Sequence, residues 1–107
     1  MIETQIHQHV NKYVRSLGRL LSKAHAASGS DCLRFLYFAH RRFAHLGLLA
    51  ARYGFVPPVL AVEFAAAYVH QLKAAGYGEA RIRTLTGRVM IVTHGPDGWS
   101  ERHEMAH

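Results

Sequence analysis

Cysteine is almost missing from this 107-residue chain, where Cys32 stands alone. One thiol forms no intrachain disulfide and supplies none of the multi-cysteine zinc patterns, so it reads as a small buried apolar side chain. Long hydrophobic runs are missing too. The least polar stretch, Tyr53 to Leu72, is interrupted by Pro57, Pro58 and Glu63, whereas a membrane span wants about 20 apolar residues in succession. That stretch is read as a buried helix. The opening decapeptide MIETQIHQHV has no cationic leader ahead of an apolar run, and the expected location is therefore cytoplasmic. Neither a repeat nor a dividing linker is visible, and so short a chain predicts a single domain, 1–107.

Acidic residues are the most telling shortage. Residues 1–53 hold eight Lys/Arg against Glu3 and Asp31, a balance of +6, while residues 54–107 hold five of each sign and balance to zero. Charge this one-sided predicts a polyanionic or acidic partner for the N-terminal half.

What is present supports a real core, since half the residues are apolar and there are five Phe, five Tyr and one Trp. Ile6, Val10, Tyr13, Leu17, Leu20 and Ala24 recur in alternating steps of four and three, the seam of a helix over about 3–27, with Gly18 as its weak point. The segment AASGSD places a break at Gly29, with Ser30 or Asp31 capping a second helix over about 31–52. Its core side is Phe35, Leu36, Ala39, Phe43, Leu46 and Ala50. Pro57-Pro58 starts a third helix, about 58–75, whose composition predicts the central and most buried position. From Arg81 the period changes to two. Strands are expected at about 80–85, 88–94 and 99–103, with a two-residue turn at Thr86-Gly87 pairing Leu85 with Arg88 and aligning Ile82, Thr84, Val89 and Ile91 on one face. Pro96-Asp97-Gly98 marks the second turn. The fold class is α+β: a three-helix N-terminal bundle followed by a small antiparallel β-hairpin or three-stranded meander. The first helix seam suits either an intramolecular bundle or a dimer, and a homodimer is a possible assembly.

This element order is similar to that of a winged helix-turn-helix domain. A groove-reading helix must present polar side chains, however, and the third helix, VLAVEFAAAYVHQLKAA, does not; the groove-reading version is rejected.

Chemistry-bearing patterns are few. His103-Glu104-Met105-Ala106-His107 matches the HExxH zinc pattern, but no further ligand follows and a polar tail is the plainer reading. His7 and His9, two apart on a helix, diverge. His40 falls towards an apolar side, with Glu63 as its expected acid partner, yet no nucleophile accompanies them. No serine sits in a nucleophile elbow, and Gly76 and Gly78 lie at the wrong end of a helix for phosphate. The expectation is a non-enzymatic protein with no metal and no cofactor.

Cations carry the positive signal. Lys12, Arg15, Arg19 and Lys23 step by three, four and four, which places them within about 80° on one face opposite the seam. Arg34, Arg41, His45 and Arg52, flanked by Arg42, lie on one side of the second helix. Arg81, Arg83 and Arg88 face outward on the hairpin. Together these residues predict nucleic-acid backbone contact through the Arg/Lys stripes of the first two helices. The alternative is a protein-interaction module, such as a small mobile-element-encoded inhibitor or adaptor, that docks on an acidic or nucleic-acid-binding surface of a partner protein.

Overall fold

The computed structural model describes residues 3–104. Three helices, α1 (Glu3–Ala26), α2 (Gly29–Tyr53) and α3 (Val59–Ala75), are followed by β1 (Gly78–Arg83), β2 (Val89–Gly95) and β3 (Gly98–Glu104). The strands form one antiparallel meander in the order β1-β2-β3. This is the α+β arrangement that the change of period predicts. Gly29 has φ 57°, so the chain turns where the sequence marks it, although α2 starts two residues before Asp31.

Two apolar clusters share α2. On one side Leu36, Ala39 and Leu46 pack with Val10, Val14, Leu17, Leu21 and Ala24 of α1 and Ala61 of α3. On the other, Leu33 and Tyr37 pack beneath Ala80, Ile82, Met90 and Val92 of the sheet. Each fully buried Leu removed from water contributes about 1.5–3 kcal/mol. The α1 seam is therefore consumed inside the chain, and α2, with apolar side chains on two faces, is the central helix.

The third helix corrects the sequence reading. Only Ala61 of α3 is buried, while Val59 is 76% exposed, Val62 60%, and Leu60 and Val69 47% each. Apolar composition sets how much surface needs cover, not how much cover the chain provides. Phe64, Tyr68, Leu72 and Ala75 reach the helical cluster, but the sheet lies across α2 and shields nothing on the outer side of α3. Close approach of α3 to α1 accounts for Gly18: a Cβ there would stand 3.1 Å from the Phe64 ring.

The hairpin register is one residue away from expectation. Arg83 pairs with Val89 and Ile82 with Met90, leaving a three-residue loop closed by Thr84 N–H to Arg88 O (2.9 Å) and Gly87 N–H to Thr84 O (3.0 Å). A two-residue turn at Thr86-Gly87 would want φ > 0 at a β-branched threonine; here only Gly87 adopts it, at 81°. Because side chains alternate, the slip turns Met90 and Val92 inward in place of Val89 and Ile91. Ile91 is nevertheless buried, on the outer face between its partners Arg81 and Arg102.

Candidate nucleic-acid interface

Helical spacing places Lys12, Arg15, Arg19 and Lys23 on the side of α1 away from its buried residues, and all four are exposed. Arg15, Arg19 and Lys23 rim an open depression floored by Gly18 and Phe64. At the α1–α2 boundary the two cation stripes meet over aromatic rings. Lys23 Nζ lies 5.9 Å from the centre of the Phe35 ring, and the Arg34 guanidinium lies 5.1 Å from the same centre. Farther along, the Arg42 guanidinium stands 5.8 Å from the Tyr13 ring and its Nε donates to Ser16 Oγ at 3.3 Å. His45 stacks on Tyr13 at 5.2 Å. Arg52 lies over Tyr53 at 5.6 Å, at the far end of α2. The result is a ribbon of cations from both helices, interleaved with half-buried rings at Tyr13 and Phe35.

Two of the acids are committed to the sheet. Arg81 binds Glu104 through two nitrogens, at 3.1 and 3.3 Å, and Arg102 Nη2 lies 3.5 Å from Glu79. These two ion pairs span the outer sheet face on either side of Ile91, so of the three arginines expected to face outward on the hairpin Arg81 is neutralised, while Arg83 and Arg88 are exposed with no carboxylate partner among the described residues. Asp31 reaches Arg34 at 3.7 Å. Among the described residues, Lys12, Arg15, Arg19, Lys23, Arg42 and Arg52 have no carboxylate partner.

Arg41 departs from the stripe. It lines a cleft of about 260 Å³ between α2 and β3 with Tyr37, His40, His45, Trp99 and Glu101. The Tyr37 hydroxyl donates to Glu101 Oε1. Burial, reinforced by that bond and opposed by Arg41, pushes the hydroxyl pKa up to about 12. His40 also belongs here, 6.2 Å from the Trp99 ring. Desolvation holds its pKa below the usual histidine range, against the pull of Glu101. Its acid neighbour is thus Glu101 and not Glu63, which is exposed on α3. Trp99 ties the cleft to α3 by donating Nε1–H to the Tyr68 hydroxyl at 2.9 Å.

No protein-family model, curated protein or solved structure matches this chain. Function is therefore argued from the side chains themselves. Of the HExxH string, His103 and Glu104 are consecutive residues of strand β3, not of a helix, and project to opposite faces. Met105, Ala106 and His107 lie outside the described residues. No group of three or more metal-ligating side chains gathers among the described residues, and none of their helices is long and apolar enough to cross a membrane. Sequence reasoning assigned Tyr13 and Phe35 to the core and missed their place beneath the cations. The adjacency of Phe35 to Arg34 was the available signal; none pointed to Tyr13, whose cation, Arg42, comes from the other helix.

Proposed function

We propose that this chain is a small non-enzymatic binding protein whose α1–α2 ribbon engages the phosphate backbone of nucleic acid without strong sequence preference. The observation that carries the reading is the meeting of Lys23 and Arg34, one from each helix, over Phe35, in a ribbon whose other Lys and Arg side chains lack carboxylate partners among the described residues. Unneutralised cations displace counterions from phosphates, and the half-buried rings of Tyr13 and Phe35 hold the cations above them at the surface.

Fluorescence anisotropy with a labelled oligonucleotide tests it. Binding should weaken linearly in log–log form with added salt, by about 0.9 in slope for each duplex phosphate contacted. Arg15→Glu/Arg19→Glu should weaken binding at least tenfold and flatten the slope, whereas Arg102→Glu on the sheet should leave it nearly unchanged. Absence of binding to DNA and RNA at 50 mM salt, roughly the low end at which such contacts persist, overturns the proposal. A second reading then takes over, favoured by the hairpin tip, where Leu85 is fully exposed between exposed Arg83 and Arg88: docking on an acidic protein surface. Arg83→Glu should abolish capture of that partner.

A further inference from the structure

The outer face of α3 is built as a seam. Val59, Val62, Ala66, Val69 and Lys73 follow one another at steps of three, four, three and four, the spacing that keeps side chains in line along one side of a helix. Phe64 and Gln71, on the opposite side, point into the molecule, with Gln71 Nε2 donating to Leu21 O at 3.3 Å. The helix is therefore apolar on two sides, and only the inner one is covered. Exposed Val59, Val62 and Val69 together exceed the scattered apolar residues of an ordinary surface, and contiguous patches of this kind mark interfaces.

Charge along the same helix says what covers it. Glu63 lies towards the N-terminal end of the seam, His70 and Lys73 towards the C-terminal end, and all three are exposed. A parallel neighbour in register sets Glu63 beside Glu63, and one shifted by two turns makes the Glu63–His70 contact only once. A second copy running antiparallel, with its two-fold axis at Ala66, sets Glu63 within about 1.5 Å of axial offset from His70 of the other copy. It also places Val62 opposite Val69 or His70, and Val59 opposite Lys73. Glu63 and His70 lie on the same side of the seam by helical angle, so the rotation brings them together twice. The alanine at the axis lets the two helices approach closely.

We propose that α3 mediates an antiparallel homodimer through Val59, Val62, Ala66 and Val69, with Glu63 of each copy facing His70 of the other. The surface is separate from the cation ribbon, so this inference does not rest on nucleic-acid binding. Sedimentation or light scattering should give twice the chain mass at about 100 μM, well above the micromolar Kd of modest interfaces. Val62→Glu should give a monomer with an unchanged circular dichroism spectrum, because the residue is exposed within its own chain. Glu63→Lys should weaken the dimer about tenfold, and the exchange Glu63→Lys/His70→Glu should restore it. In a Cys32→Ser background, Ala66→Cys should oxidise to a covalent dimer, and Ser100→Cys, on the sheet, should not. A wild-type monomer at that concentration, a dimer that survives Val62→Glu, or failure of the charge exchange to restore association overturns the proposal.

Discussion

Gly18 and Tyr37 show how much depends on single side chains. A glycine in mid-helix costs about 1 kcal/mol relative to alanine, and at position 18 that cost is offset by seating Phe64 against the α1 backbone. Gly18→Val should destabilise the protein by about 1–3 kcal/mol in urea unfolding, because a β-branched group overfills the contact. Tyr37 is buried with its hydroxyl committed to Glu101. Its folded pKa of about 12 lies above the ordinary value near 10, so the unfolded chain releases the proton first. The stability this contributes is complete below about pH 10 and is lost as the pH climbs through 12. Thermal melts across that range should fall steeply for the wild type and less so for Tyr37→Phe.

At the scale of elements, the turn between β1 and β2 decides which residues face the core. Gly87 alone supplies the left-handed conformation in the three-residue loop, at φ 81°. Gly87→Val should therefore cost about 1–2 kcal/mol and lower the melting temperature by several degrees, a shift of about 4–8 °C per kcal/mol for a chain this size. The same loop explains why the number and order of elements were legible in the sequence while the pairing was not. Helices announce themselves through apolar steps of three and four, and strands through alternation, as in Ile6 to Ala24 and Arg81 to Ile91. The register at Thr86 instead turned on a backbone angle that a β-branched residue avoids, and the Arg81–Glu104 and Arg102–Glu79 pairs become visible only once that register is known. The cation stripes of α1 and α2 were legible because helical spacing alone aligns them. The place of Arg41 at the rim of the α2–β3 cleft was not, since it depends on where β3 places Glu101. Burial of α3 was misread for a different reason: hydrophobicity does not reveal whether cover comes from the same chain or from another copy.

At the scale of the whole molecule, charge is sorted rather than merely abundant. The sheet consumes Glu79 and Glu104 in cross-strand pairs, leaving the helical side to hold most of the unbalanced cations. Salt should consequently weaken binding at α1 and α2 while leaving the sheet indifferent. Reversing Arg19 should therefore change nucleic-acid affinity far more than reversing Arg102, although both alter the net charge by the same amount.

The paired ions over Ile91 thus have an effect beyond holding three strands together. By neutralising four charges on the outer sheet face they leave positive charge unevenly distributed over the molecule, and on the proposed reading the field of an approaching polyanion would exert a torque on it. On that reading, rotation into a productive orientation begins before contact, so the outermost strands would help guide the encounter without touching the nucleic acid.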